Sequence, residues 1–475
     1  MSQKIVTRFA PSPTGFMHVG GIRTALYAWL WARKNKGVFI LRIEDTDKER
    51  EVEGSIEHIM KSLRYLGLDW DYGPKEGGGD EGPNAPYIQS ERLAIYKKYA
   101  EMLVESGHAY PDPYTPEEVD KFRKEAEEDK KPFLYREYRP EKFDTWDGQK
   151  SLRFKVPEIK SFKWNDLVQG DLSAGPEALD DFILIKGDGY PTYNFAHIVD
   201  DIEMEVTHVV RGQEFISSTP KFLSVYEALK ITPPLFVTTP PILGSNGNKK
   251  LSKRDGAKDI LDYETEGYLP QTMINYLAFL GFNPGGEKEV YTPPELLEVF
   301  DLAKIQRSGA KWSDDKLDWL NKEHIKLLSK EEVEKNILKW LPEEMRNPKL
   351  VPVIFERISK WSEVRDMAEN GELDLFFRAP EYLSEKLIYK NSTKEKTEEN
   401  LKIAIKAIEN IDENNFTAEN IKNNLMLVAD ARESRGELLH PVRYALSGRD
   451  KSPDPFIIAS IIGKNETLSR LQKTI

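Results

Sequence analysis

Two short stretches carry residues whose types and spacing could manage a phosphate. The first is Ser12-Pro-Thr-Gly-Phe-Met-His-Val-Gly-Gly21, a turn with a histidine two residues before its glycine pair. Backbone N–H groups of such a turn approach an anion closely, and a helix opening there adds its dipole to the attraction. His18 would stand beside that anion and donate a hydrogen bond to a phosphate oxygen. The spacing is neither the dinucleotide fingerprint nor a Walker loop. The second stretch is Lys250-Leu-Ser-Lys-Arg254, framed by Gly244-Ser-Asn-Gly247, Lys249 and Gly256, with four basic residues within 249–254. Lysines on such a loop could neutralise charge developing on a phosphoryl group and its leaving pyrophosphate. Taken singly, the first stretch is equally a tight turn with a surface histidine, and the second a solvated run of charge.

The elements around them read as α/β. Lys4–Ala10 is a short β-type run, and Ile22, Ala25, Leu26, Trp29 and Leu30 then recur at helical spacing. Gly37 ends the helix, and Val38–Ile43 is an apolar run suited to a strand buried on both faces. This strand–helix–strand unit predicts a parallel sheet with a right-handed crossover. Residues 73–86 hold eight Gly or Pro in fourteen positions and are expected to be loop. Thr115-Pro-Glu-Glu118 predicts a capping box opening a helix. Sheet character returns at Val206–Val210 and Leu235–Thr239, so about 98–190 reads as an insertion. From about 325 the periodicity is almost wholly helical, with a second capping box at Ser329-Lys-Glu-Glu332.

Composition limits the classes. The chain has 475 residues, 39% of them hydrophobic, and a formal net charge of −12. That balance argues against a protein that coats nucleic acid indiscriminately. Yet residues 1–50 carry nine Lys/Arg against four Asp/Glu, and residues 431–475 carry eight against five. The start Met1-Ser2-Gln3-Lys4 lacks an apolar signal core and no run is long enough for a membrane span, so a cytoplasmic location is expected. Cysteine is absent, which removes disulfides and thiolate chemistry.

Together, His18-Val-Gly-Gly21 and Lys250-Leu-Ser-Lys-Arg254 resemble the two signatures of class I aminoacyl-tRNA synthetases. Arg8-Phe-Ala-Pro-Ser-Pro-Thr-Gly15, Arg42-Ile-Glu-Asp-Thr-Asp47, Gly189-Tyr-Pro-Thr-Tyr193, Val199-Asp-Asp201 and His440-Pro-Val-Arg-Tyr-Ala-Leu-Ser-Gly448 are similar to the bacterial-type glutamyl-tRNA synthetases, in family order along nearly the whole chain. The resemblance implies a Rossmann-like catalytic domain in two halves (1–97 and 190–255), an inserted α+β acceptor-stem-binding domain (98–189), a stem-contact domain (256–324) and an all-helical anticodon-binding region (325–475). It implies a glutamate–tRNA ligase using ATP with Mg²⁺, L-glutamate and tRNA(Glu), active as a monomer and in need of tRNA for activation. Whether tRNA(Gln) is charged as well is left open.

Site roles follow from the same resemblance. His18, Lys250 and Lys253 would act in catalysis. Gly20, Gly21, Phe215, Ser252 and Arg254 would join them around ATP. Arg8, Ala10, Ser12, Glu44, Tyr193 and Arg211 would line the glutamate pocket. The chemistry agrees, since arginine is the bidentate partner of a side-chain carboxylate and both arginines fall at strand ends, where open α/β sheets bind ligands. Taken alone, Glu44 and Arg211 would read as a surface ion pair. Asp200 and Asp201 read as structural turn carboxylates, and His197 as a packed neighbour or a ligand. Arg432, Arg435, Arg443 and Arg449 are candidate tRNA contacts. Many bacterial relatives bind zinc through cysteines near the stretch that here reads Tyr110-Pro-Asp-Pro-Tyr114. With Asp112 and Tyr114 at those places, no zinc is expected, and aromatic content must hold 110–165 together.

Three rivals are weighed against this reading. A glutaminyl-tRNA synthetase would end in β-barrels, a tRNA-modifying paralogue would be shorter, and a non-catalytic paralogue would have lost signature residues.

Overall fold

The computed structural model describes residues 4–244, 246, 247, 249–251 and 258–475. The chain forms two compact units, Met1–Leu320 and Asn321–Ile475.

In the first unit the strands Val38–Leu41, Val6–Phe9, His208–Gly212 and Leu235–Thr239 lie side by side and parallel, in that order. Val6–Phe9 and Val38–Leu41 are buried at every position, Val38–Leu41 being the apolar run expected of a strand covered on both faces. The crossover helix Val19–Lys34 buries Ile22, Ala25, Leu26 and Leu30 completely. The Ile and Leu side chains each contribute about 1.5–3 kcal/mol by leaving water. Gly37 has to be glycine, because a Cβ there would sit 2.2 Å from the Ile5 carbonyl oxygen.

The stretch read as an insertion divides in two. Ala109–Pro111, Leu152–Phe154 and Ile183–Ile185 form a separate antiparallel sheet, and the helix Pro116–Glu128 opens on the expected capping box. The hairpin Phe162–Asp166/Gly170–Ala174, by contrast, extends the parallel sheet beyond Leu235–Thr239. Leu167 N donates to Phe236 O at 2.9 Å, and the Asp166 carboxylate accepts from Thr238 N at 3.2 Å. The segment 73–86 also differs from a plain loop. Gly73–Pro74 and Asp80–Glu81 pair as a minimal hairpin, turned by Gly77, Gly78 and Gly79 at positive φ.

In the second unit every named element among the described residues is helical. Capping works as the sequence indicates: Ser329 and Glu332 close a box on Lys330–Trp340. Lys394–Glu409 packs its Leu401, Ala404, Ile405 and Ile408 stripe inward. Among the described residues no helix is long and apolar enough to cross a membrane.

Candidate active site

His18 caps the helix Val19–Lys34, and its Nδ1 accepts a hydrogen bond from Gly20 N at 3.0 Å. Acceptance at Nδ1 leaves the ring proton on Nε2. Gly20 permits this, since a Cβ there would lie 2.9 Å from His18 Cε1. Gly21 N in turn donates to His18 O at 3.1 Å, so both glycine amides fold the turn back onto His18.

The ends of the strands carry a buried ionic network. Arg8 donates from Nε to Asp201 Oδ1 at 3.1 Å and from Nη1 to Val210 O at 3.2 Å. Arg42, wholly buried, donates to Asp201 Oδ1 and to Glu44 Oε1, both at 2.8 Å, and lies 3.5 Å from Asp200. Asp200 is held in turn by Arg92 Nε and Gln89 Nε2, each at 2.7 Å, and by Tyr96. Buried charges persist only when paired and hydrogen-bonded in this way. Burial alone would raise the Asp201 carboxyl, but Arg8 and Arg42 hold it down at about 2. Burial outweighs Arg42 and Arg8 at Glu44, whose carboxyl is pushed up. Asp200 and Asp201 are therefore not turn residues: both sit on the helix Tyr193–Glu203 and are buried. Neither Arg42 nor Asp201 has a place in the site expected from the sequence. Their signal is the charge itself, one arginine inside Val38–Ile43 and two aspartates between Val199 and Ile202, where only a partnered charge can be buried.

Ser12, Thr14, Glu44, Lys186 and Tyr193 line a cleft of about 610 Å³ at this end of the sheet. Ala10, half-buried, follows the strand that carries Arg8. Tyr193 opens its helix, stacks on His197 with centroids 4.6 Å apart and lies 5.5 Å from Phe215. Phe222 touches both Tyr193 and Arg211. Arg211 is buried over Phe236, and its Nη2 donates to Thr219 Oγ1 at 2.6 Å. Its Nε, also buried, has no hydrogen-bond partner among the described residues. Burial, reinforced by repulsion from Arg8, lowers the Arg211 guanidinium to about 10. His197 is a packed neighbour: its Nδ1 is 2.6 Å from Tyr193 O, and burial lowers the ring to about 3, so it is neutral.

Lys250, exposed, pairs with Glu214 at 3.3 Å. Ser252, Lys253 and Arg254 lie outside the described residues.

In the insertion, Asp112 takes Arg153 at 2.5 Å and the Tyr135 hydroxyl, and the Arg153 guanidinium lies 3.4 Å over the Tyr135 ring. Tyr114 donates to Tyr138 O at 2.9 Å and meets Phe122 edge-on, while Phe122 stacks on Tyr138 at 4.3 Å. An ion pair at Asp112 and an aromatic stack at Tyr114 thus hold this part of the insertion together.

In the helical unit, Arg449 donates to the carbonyls of Gly371 and Glu372, and Arg443 to Arg449 O and Ser452 Oγ. Arg435 pairs with Asp430, and Arg432 is half-buried with Nε unpartnered among the described residues. Arg449 also lines a cavity of about 490 Å³ with Arg357 and Lys451, two cations the sequence reading did not select.

A parallel sheet whose first helix opens on His-Val-Gly-Gly beside a buried arginine–carboxylate network marks a class I aminoacyl-tRNA synthetase. Residues 4–319 match the family of class I tRNA synthetases (E and Q), catalytic domain, and residues 317–475 match an anticodon binding domain. The chain belongs to that glutamyl and glutaminyl family. It is 41% identical to a glutamate–tRNA ligase of Clostridium botulinum strain Hall over 99% of this chain and 98% of that one. It is 38% identical to one of Dehalococcoides mccartyi, covering 100% and 98%. A solved glutamate tRNA ligase of Elizabethkingia meningosepticum, in complex with its amino acid, superposes with a TM-score of 0.88 at 36% identity, covering 99% of both chains.

Proposed function

We propose that this glutamate–tRNA ligase selects its amino acid with Arg8 and Arg211 and activates it by positioning and charge alone. The observation that carries this reading is the buried Arg211 with an unpartnered Nε, next to the Tyr193 wall of the cleft. A desolvated guanidinium with a free donor calls for a carboxylate, and the glutamate side chain supplies one. Glu44 receives the α-ammonium, and Ala10 and Ser12 complete the pocket.

The glutamate α-carboxylate attacks the α-phosphorus of ATP; the bond to the pyrophosphate oxygen breaks, leaving glutamyl-adenylate. A terminal ribose hydroxyl of tRNA then attacks the acyl carbon and AMP departs with the bonding pair. No side-chain nucleophile is needed, so the enzyme contributes orientation and electrostatics. His18, Gly20 and Gly21 hold the phosphates, Phe215 the adenine, and Lys250, Ser252, Lys253 and Arg254 the leaving pyrophosphate. Mg²⁺ enters as the phosphate complex of ATP, and the insertion is held without zinc. Activation waits for tRNA, whose anticodon end meets the unit carrying Arg432, Arg435, Arg443 and Arg449. A monomeric state completes the proposal, with tRNA(Gln) a second candidate beside tRNA(Glu).

ATP–pyrophosphate exchange with glutamate or glutamine, with and without tRNA, tests it. Exchange is expected with glutamate plus tRNA, and its absence there sinks the reading. Sedimentation and charging of both purified tRNAs test the remaining parts.

A further inference from the structure

The segment that presents His18 is tied to the far end of the Lys250 loop through a residue in neither motif. At the near end, Leu251 N donates to Ile242 O at 2.8 Å, and Lys250 bridges to Leu243. At the far end, Asp259 pairs antiparallel with His18, and Ile260 N donates to Met17 O at 3.1 Å. His58, on the helix Ser55–Tyr65, closes this junction. Its Nε2 lies 2.9 Å from the Asp259 carboxylate, and its Nδ1 accepts from Met17 N at 3.4 Å. Acceptance at Nδ1 puts the ring proton on Nε2, pointing at Asp259. Ser62 Oγ, 3.4 Å from Nδ1, donates at 2.7 Å to His58 O instead. The Phe16 ring covers the imidazole at 4.6 Å. Asp259 also caps the helix Ile260–Thr265 by accepting from Leu261 N at 2.9 Å.

One imidazole therefore touches the amide just before His18 and the carboxylate that ends the loop. We propose that His58 is a positioning residue for amino-acid activation, fixing the exit of the Lys250 loop against the segment that presents His18. Both motifs must meet one phosphate chain in the transition state, where small displacements cost large factors in rate. The inference rests on the function proposed above.

Its test separates the two ring nitrogens. Glutamine places a donor where Nε2 stands, whereas asparagine reaches only the place of Nδ1. In ATP–pyrophosphate exchange with tRNA, His58→Ala and His58→Asn are expected to lose at least tenfold in kcat with the glutamate KM within twofold. His58→Gln should recover kcat to within threefold, with His58→Asn and His58→Gln melting at the same temperature. Wild-type kcat in His58→Asn overturns the proposal, as does His58→Gln remaining as slow as His58→Ala while melting like the wild type. Should the His58 variants melt below assay temperature, Asp259→Ser keeps a helix cap and removes the carboxylate. It is expected to show the same loss, and wild-type exchange in it overturns the proposal. Absence of exchange in the wild type would instead undo the functional reading beneath.

Discussion

Arg8 and Asp201 form a buried pair, Nε to Oδ1 at 3.1 Å, with side chains 7% and 1% exposed. Arg42 ends on the same oxygen at 2.8 Å. Asp201 thus sets the distance between two cations at this end of the sheet, a task that falls to the helix Tyr193–Glu203 rather than to the strand of Arg8 or to Val38–Leu41, which Arg42 follows.

Asp201→Asn keeps the shape and removes the charge, leaving Arg8 and Arg42 short of an anion. Breaking a buried pair costs about 3–5 kcal/mol. Urea unfolding should show that loss, and the glutamate KM should rise with it as Arg8 moves. Unchanged values of both would show that Asp201 does not set the pocket.

Arg211→Ala removes the guanidinium proposed to take the substrate carboxylate. Loss of a desolvated charge contact of this kind costs about 2–5 kcal/mol. The glutamate KM is expected to rise about 100-fold while the ATP KM stays within twofold. Equal changes in both would place Arg211 in the scaffold.

His197 gives a pH signature. Its ring titrates at about 3 in the folded chain against an ordinary value of 6.5. The unfolded state therefore binds the extra proton as pH falls below 6.5, and stability drops between pH 6.5 and 3 with a limiting slope of about 1.4 kcal/mol per pH unit. Asp201, depressed to about 2, adds stability that is present above its unfolded value and lost only as pH falls toward 2. Between pH 5 and 6.5 Asp201 adds no slope. His108 and His208, also lowered by burial, add to the His197 slope, and Glu44, raised by burial, opposes it, so the His197 share is the change seen on substitution. His197→Asn retains a donor for Tyr193 O and should flatten that slope in urea titrations; an unaltered slope would assign it elsewhere.

Arg153→Ala leaves Asp112 without its cation in the insertion. A loss of about 3 kcal/mol is expected, read as a lower melting temperature and faster proteolysis within 98–189. Metal analysis of the untreated protein should find no stoichiometric zinc, and EDTA should leave the melting temperature unmoved.

Local signals were legible where one short segment decides the outcome. Thr115 and Ser329 announce their helices because a capping box is complete within four residues. The strand at 38–41 and the helical stripe at 401–408 follow from periodicity. Partnerships across long separations were not legible. Arg8 and Asp201 stand 193 residues apart, and no spacing reveals that a helix returns under the first strand. Grouping Arg8, Glu44, Tyr193 and Arg211 came from resemblance to a family, whereas Arg42 and His58 needed the folded contacts. The hairpin 162–174 misled for a related reason: its own pattern says strand, but not which sheet it joins.

That hairpin bears on how the chain could be cut. Leu235–Thr239 is buried from Phe236 to Thr239, and its outer flank is closed by Asp166, Leu167 and Gln169. A variant trimmed of residues 98–189 would bare an apolar, unpaired strand, the feature that recruits other chains into aggregates. Shortened enzymes of this architecture should therefore keep 162–174 as a sealing strip and rejoin the backbone outside it.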